Sequence, residues 1–208
     1  MDPYVTEQEQ LETLKKWWQK NGTNLLLTIS VALALSGGYQ YWHNRVTQGQ
    51  LNASAQYTQM VGLLGQDKTN DAIALGDQLI QNFSDTPYAA LASLAVAKAK
   101  LEKGDTTAAR SHLIWVTEHS KSVEVKDIAQ IRLARVFYAQ KEYEQALKTL
   151  AKVTSTEMSP VMDEIKGDIY LVQGEREKAR VAYQSVVNAK KANAKIAQLK
   201  LEDLGSSL

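Results

Sequence analysis

The sequence predicts an all-α protein in which one N-terminal transmembrane helix precedes an α-solenoid of helical hairpins. Only 3 prolines and 11 glycines interrupt 208 residues, so few positions break helices. One uncharged, mostly apolar stretch covers residues 24–42. After residue 46, alanines and large apolar residues recur at intervals of about 34 residues, a period typical of stacked helix pairs.

Composition bounds the classes of function. The chain has 24 Lys and Arg against 23 Asp and Glu, so it lacks the basic excess of nucleic-acid-binding domains, and we expect no nucleic-acid partner. The mean hydropathy of −0.32 allows at most one membrane crossing. The absence of cysteine excludes disulfides, thiolate metal sites and cysteine nucleophiles.

The apolar stretch has the length and the flanks of a membrane span. Its 19 residues cover about 28 Å as a helix, close to the hydrocarbon thickness of a bilayer. We therefore assign residues 23–43 to a transmembrane helix. Aromatic rings, which prefer the membrane interface, mark both of its edges: Trp17, Trp18, Tyr39, Tyr41 and Trp42.

Two alternatives remain open for this stretch. Ala32-Leu33-Ala34 has the small-x-small form of a signal-peptide cleavage site, although the long preceding segment contains four acidic residues, unlike a short basic leader. A buried core helix is the other alternative, because polar residues such as Thr28 dilute the apolar face. The aromatic flanks favour a retained membrane anchor over both.

Lysine distribution predicts the orientation. Lys15, Lys16 and Lys20 precede the span, whereas Arg45 is the only base in the comparable window after it. Because basic residues are retained on the cytoplasmic side, we expect a cytoplasmic N-terminus. Residues 46–208 would then form a periplasmic domain of a single-pass, type II inner-membrane protein.

Residues 1–22 predict a cytoplasmic segment with a short amphipathic helix at the membrane surface. Thr6 and Glu9 have the spacing of a capping box, and apolar residues follow at helical intervals. Asn21-Gly22 offers a stop for this helix.

Within the span, Ser30, Ala34 and Gly38 lie four residues apart on one helical face. Such a row of small residues lets a second membrane helix approach closely. Small residues are also common in membrane helices without any such role, and the sequence does not decide between the two interpretations.

The clearest repeat covers residues 133–153. It places Leu133, Ala134 and Phe137 in one helix and, after a turn near Lys141, a second apolar series in another. This unit resembles a tetratricopeptide repeat, whose antiparallel helices need a small residue where their backbones approach. Neighbouring units show the same order, with turns at Gly104 and Gly174.

The small residues of the second helices give the period of the repeat. They are separated by 37, 37 and 33 residues. The first unit, about 52–82, departs from the pattern because Gly76 stands where an aromatic residue or Leu is expected. A last helix over 192–204, ended by Gly205, would cap the solenoid. The alanines are Ala72, Ala109, Ala146 and Ala179.

No constellation of side chains predicts catalysis, so we expect no enzyme, metal site or cofactor. His112 and His119 are seven residues apart, about 10.5 Å along a helix and too far for one ion, which favours two surface histidines. Glu164 and Asp168 have no nucleophile nearby and are expected on a solvated or partner-facing side. A basic stripe on the last helix is interpreted as solvated: Lys190, Lys191, Lys195 and Lys200.

The whole chain resembles one family. The segment QLETLKKWWQKNG (10–22), the span ending in GYQYW (38–42), and the repeats with PYAALASLAVAK (87–98) and RLARVFYAQKEYEQALKTL (132–150) are similar to the YfgM family. The resemblance implies an inner-membrane protein whose periplasmic domain is an ancillary subunit of the SecYEG translocon. It implies the periplasmic chaperone PpiD as a partner, and an association with envelope stress signalling.

Two functions of different classes follow from this resemblance. One is a non-catalytic interaction subunit that binds a periplasmic chaperone, emerging secreted polypeptides or both. The other is a regulator that sequesters a response regulator of envelope stress through the cytoplasmic segment. The resemblance also implies that first helices of the repeats line a concave binding groove, although an ordinary solvated face is the alternative. The groove positions are Lys98, Leu101, Arg132, Arg135, Tyr138, Glu164, Asp168 and Leu171.

Overall fold

The computed structural model describes residues 7–206. Within this range the chain is α-helical apart from turns and one short 3-10 helix at Thr156–Met158, which confirms the all-α prediction. The chain divides into two compact units, residues 1–49 and residues 50–208. The helices are α1 (Glu7–Gly65), α2 (Thr69–Asn82), α3 (Pro87–Glu102), α4 (Thr106–His119), α5 (Val123–Ala139), α6 (Tyr143–Leu150), α7 (Ser159–Val172), α8 (Arg176–Asn188) and α9 (Ala194–Ser206).

Helix α1 does not stop at Asn21-Gly22, so that expectation is wrong. The helix continues through both residues. A single glycine costs a helix about 1 kcal/mol relative to alanine and does not by itself end a long one. In addition, the Trp18 ring covers Gly22, lying 3.1 Å from the position of a β-carbon there. Thr6 of the predicted capping box lies outside the described residues.

Each of four hairpins turns at a residue with positive φ. Gly104 and Gly174 (79° and 78°) adopt this conformation without strain, and Asp67 and Lys141 (59° and 64°) adopt it as left-handed residues. The residue after each turn donates its N–H to the carbonyl oxygen five residues earlier, which closes the first helix. These bonds join Lys68 to Leu63, Asp105 to Lys100, Glu142 to Phe137, and Glu175 to Tyr170.

The four closures recur at the same intervals of 37, 37 and 33 residues as the second-helix alanines. All four alanines are at most 1% exposed, because each lies where the two helices of its hairpin pack closely. The predicted solenoid of helical hairpins is therefore confirmed as a fold class, and the end of α1 and α2 form the first hairpin.

Gly76 departs from the repeat pattern for a packing reason. It is buried, and a β-carbon at this position would lie 2.5 Å from Val96 Cγ2 and 2.9 Å from Met60 Sδ. The space that Leu113, Leu150 and Tyr183 fill at the equivalent positions of the later repeats is taken here by Met60, which is 1% exposed, and by Val96 of the next repeat. The first hairpin therefore keeps the same fold, although α1 and α3 supply the buried side chains that α2 lacks at this position.

Helix α9 packs against the last hairpin, and its bounds differ slightly from the expected 192–204. It begins at Ala194, and Gly205 lies inside it, so glycine does not end the helix. Ala197 and Leu204 are buried in a cluster with Tyr183 of α8. This packing removes the last apolar face of the hairpins from water.

Candidate functional site

A groove opens between α3 and α5, the first helices of two successive repeats. Its volume is about 420 Å³. Four of the eight predicted groove residues line it, namely Lys98, Leu101, Arg132 and Arg135. We call this cavity the α3–α5 groove. Its complete lining is Ala97, Lys98, Leu101, Thr106, Leu113, Arg132, Arg135, Val136 and Ala139.

The three cations of the groove are held to different degrees. Lys98 pairs with Glu102 at 3.7 Å, one turn along α3, and both side chains are well exposed. Arg132 reaches across from α5 and donates to the backbone oxygen of Leu94 at 3.3 Å. Among the described residues, Arg135 has no hydrogen-bond or ion-pair partner, so its guanidinium remains available to a ligand.

The remaining lining is largely aliphatic. Leu113 and Val136 are buried beneath the groove, at 0% and 3% exposure, and Leu101 stands at its edge with 38% exposure. An apolar floor with a few charged groups at the edge is the usual composition of a recognition site.

Tyr138 lies outside this groove, toward α7. Its ring is half-buried and packs 5.9 Å, centroid to centroid, from the ring of Tyr143. Burial raises the pKa of Tyr138 above its ordinary value, and the carboxylate of Asp168 raises it further. The structure therefore places Tyr138 near Asp168 of α7 and outside the lining of the α3–α5 groove.

The two predicted acidic groove residues are engaged by the capping helix. Lys200 of α9 lies 2.6 Å from Asp168 and 3.7 Å from Glu164. The Asn193 amide also donates to Glu164 at 2.9 Å, and the Tyr183 hydroxyl donates to Asp168 at 2.7 Å. Burial, followed by this hydrogen bond to Asp168, raises the pKa of Tyr183 well above its ordinary range.

Lys200 is consequently not part of a solvated stripe, which corrects the interpretation from sequence; Lys190, Lys191 and Lys195 are exposed as expected. Continuing the repeat spacing of 33 residues from Gly167 would have placed Lys200 at the equivalent first-helix position of a fifth unit. Leu171, the last predicted groove residue, is 38% exposed near the end of α7 and does not line the α3–α5 groove.

The histidines do not form a joint site. His119 is exposed and stacks on Trp115 at 4.6 Å, as expected of a surface residue. His112 is not a surface histidine, because its ring is half-buried between Ser93 and Asp77, with the nitrogens 3.3 and 3.5 Å from their oxygens. Burial lowers its pKa. Residues 9–205 contain no group of three His, Cys, Asp or Glu side chains arranged to hold a metal ion.

Helix α1 is long and apolar enough to cross a membrane, judged by length and composition, and 6% of its most apolar window is buried. The five predicted interface aromatics are all exposed on it, from Trp17 at 48% to Tyr41 at 65%. Ser30, Ala34 and Gly38 are exposed as well, and no heavy atom of the described residues lies within 4 Å of a β-carbon built at Gly38. The surface of this helix is therefore open to lipid or to another helix.

A helix long and apolar enough to cross a membrane, followed by stacked helical hairpins, defines the class as an α-helical repeat protein with one candidate membrane helix. The chain belongs to the tetratricopeptide repeat-like domain family, whose model matches residues 15–206.

Curated relatives share its whole length. Proteins from Haemophilus influenzae and Aggregatibacter actinomycetemcomitans are 26% and 28% identical, each over 96% of this chain and 98% of the relative. A protein from Escherichia coli is 26% identical over 98% of this chain and 99% of its own length. All three relatives are named ancillary SecYEG translocon subunit, which confirms the resemblance to the YfgM family.

Proposed function

We propose that this chain is a non-catalytic interaction subunit of the bacterial inner membrane, ancillary to the SecYEG translocon. The membrane helix at 23–43 anchors it beside the translocon, with residues 1–22 in the cytoplasm and residues 46–208 in the periplasm. The repeat domain binds the chaperone PpiD, emerging secreted polypeptides or both.

The observation that carries this proposal is similarity over the full length. The relatives named as translocon subunits match both the anchor and the repeats, in the same order and with 98 to 99% of their own length covered. Anchor and repeat domain therefore belong to one inherited arrangement. The α3–α5 groove, with its aliphatic floor and available Arg135, supports a role in binding polypeptide.

The orientation rests on Lys15, Lys16 and Lys20 before the span against Arg45 after it. Protease added to intact spheroplasts should digest the repeat domain and spare the cytoplasmic segment. Full protection of the repeat domain, with digestion after the cells are opened, would contradict this topology.

Affinity purification of the full chain in mild detergent tests the partner. SecYEG should co-purify, and its absence at several detergent concentrations would contradict the proposal. A photo-crosslinker at Leu101 should then capture PpiD or a secreted polypeptide, whereas one at Gln10 should not capture a soluble cytoplasmic protein. Capture of a cytoplasmic response regulator at Gln10, without capture of a periplasmic protein at Leu101, would favour the alternative function as a regulator of envelope stress signalling.

A further inference from the structure

The open part of the first-helix surface carries charge of one sign. Lys98, Arg132 and Arg135 line the α3–α5 groove, and none of the described acidic residues does. Glu102, which pairs with Lys98, is 63% exposed in its side chain and lies outside the lining, so this pair is solvent-screened and weak. The groove consequently presents a net positive potential to a ligand.

The acidic part of the same surface is partly neutralised by a lysine of the capping helix. Lys200 lies between Glu164 and Asp168, and the side chains of all three are at most 28% exposed. Glu164 also accepts a hydrogen bond from the Asn193 amide, and Asp168 accepts one from the Tyr183 hydroxyl. With Lys200 these carboxylates keep a net charge of −1 instead of −2, and they lie outside the lining of the α3–α5 groove.

The floor of the groove calls for an apolar group in addition to a negative one. Ala97, Leu113, Val136 and Ala139 form an aliphatic surface, and the half-exposed Leu101 adds to it at the edge. A volume of about 420 Å³ suits a side-chain anchor and its flanking backbone. Burial of aliphatic side chains would provide affinity, and the charges at the edge would set register and sign.

We infer that the α3–α5 groove takes an acidic protein segment in which an apolar side chain is flanked by Asp or Glu residues. Arg135 would pair with a carboxylate of the segment, and the apolar side chain would lie on Leu101, Leu113 and Val136. This inference rests on the proposed function, because it specifies the chemistry of the polypeptide that the repeat domain binds.

An anionic lipid headgroup is a weaker match for the same groove. A phosphate is normally held by several donors that converge on it. Here Arg132 is engaged with the backbone oxygen of Leu94 and Lys98 with Glu102, which leaves Arg135 as the one fully available cation of the lining within the described part of the chain. The aliphatic floor would also remain uncovered by a headgroup.

The test uses the full chain in an uncharged detergent and measures the anisotropy of fluorescent peptides. One probe is a short peptide of Glu and Leu; matched probes replace Glu by Lys or Leu by Ser. The decisive variant is Arg135→Glu, and its control is Arg180→Glu. Arg180 is an exposed residue of α8 that pairs with Glu177 at 3.7 Å, so the control makes the same charge change away from the groove. Circular dichroism establishes whether both variants are folded. If Arg135→Glu does not fold, Arg135→Gln replaces it in the binding measurement.

We expect the Glu and Leu peptide to bind more tightly than either matched probe. Arg135→Glu should weaken its binding roughly tenfold, as expected for reversal of one partly exposed charge, whereas Arg180→Glu should leave binding within about twofold. Equal binding of the Lys and Leu peptide, or equal effects of the two variants, would overturn the inference. Arg135-dependent binding of phosphatidylglycerol in mixed micelles, without peptide binding, would overturn it in favour of lipid.

The proposed function and the inference about the groove would be contradicted by different experimental results. If SecYEG co-purifies with the chain but the peptide probes show no preference for acidic sequence, only the inference about the groove is overturned. If the acidic peptide binds through Arg135 but SecYEG does not co-purify, the groove chemistry stands and the translocon assignment falls.

Discussion

Lys200 on the last helix lies 2.6 Å from the carboxylate of Asp168 on α7. The ammonium also lies 3.7 Å from Glu164, so one cation serves two partly buried carboxylates placed a single helical turn apart. Without it, two like charges would face each other in a partly dehydrated site. The ion pair therefore fastens the capping helix to the last hairpin and offsets one of the two negative charges on this part of the first-helix surface.

Replacing this cation should loosen the cap. We expect Lys200→Met to destabilise the repeat domain by about 1–3 kcal/mol, because it leaves Glu164 and Asp168 without their shared counter-ion. Urea unfolding monitored by circular dichroism gives the change, and hydrogen exchange should show it concentrated in α9. Lys195→Met on the exposed side of the same helix is the matched control, and a similar loss there would contradict the role of Lys200.

Gly167 is expected to be intolerant of any side chain. It is buried, and a β-carbon there would collide with the ring of Tyr183, which is 0% exposed and cannot move without giving up its hydrogen bond to Asp168. Gly167→Ala should cost about 1–3 kcal/mol in the free energy of unfolding. Gly62→Ala is the control: no atom of the described residues lies within 4 Å of its β-carbon position, so better helix propensity should make it neutral or slightly stabilising. Equal stability of the two variants would disprove the packing argument.

A buried carboxylate joins two successive repeats. Asp127 of α5 is 2% exposed and accepts hydrogen bonds from the Thr154 N–H, the Thr154 hydroxyl and the Ser155 N–H. Asp127→Ala should destabilise the domain by about 2–4 kcal/mol, because two backbone donors lose their charged acceptor. Thr154→Val removes only the hydroxyl bond and should cost about 1 kcal/mol. Thermal melting of the full chain orders the two variants, and the opposite order would refute this account.

Local sequence determines much of this fold and less of its surface chemistry. The hairpins were predictable because Gly104, Lys141 and Gly174 mark turns and because buried alanines recur at intervals of 33 to 37 residues. These signals lie within one repeat and depend on short-range geometry.

Long-range contacts were not predictable in the same way. The partner of Lys200 is set by how α9 packs beside α7, more than thirty residues away in sequence, and no local pattern distinguishes a paired lysine from a solvated one. The same limit applies to Gly76, whose fit depends on Met60 and Val96 from two other helices. For the groove, the first-helix positions followed from the repeat resemblance, whereas the division into an available basic part and a partly neutralised acidic part required the tertiary structure.

We expect the free energy of unfolding to decrease at acidic pH because His112 is half-buried. Burial lowers the pKa of His112 below its ordinary value of 6.5, and this outweighs the opposite effect of the Asp77 carboxylate; Lys100 lowers it further and Asp105 raises it. Between the lowered pKa of the folded state and the ordinary pKa, His112 therefore binds a proton in the unfolded chain but not in the folded chain. The stability contribution is complete above pH 6.5 and is lost as the pH falls below that value toward the lowered pKa of the folded state.

Melting temperatures of the full chain measured between about pH 7.5 and about pH 5.5 test this linkage. His112→Gln should flatten the decline relative to the unmodified protein, whereas His119→Gln, at an exposed ring stacked on Trp115, should leave it unchanged. Identical slopes for His112→Gln and the unmodified chain would rule out His112 as the titrating group.

The small residues of the membrane helix should face another helix of the translocon or of PpiD. Ser30, Ala34 and Gly38 are exposed on α1, and a partner could approach their backbone closely only while no bulky side chain intervenes. We expect Ala34→Leu combined with Gly38→Leu to reduce co-purification of SecYEG or PpiD several-fold, because van der Waals contact between the helices is lost, while carbonate-resistant membrane insertion is retained. Leu25→Ala combined with Ile29→Ala, at exposed positions on the opposite face of the same span, is the matched control and should leave recovery unchanged. Equal recovery with both double variants would mean that the row of small residues contributes nothing to assembly.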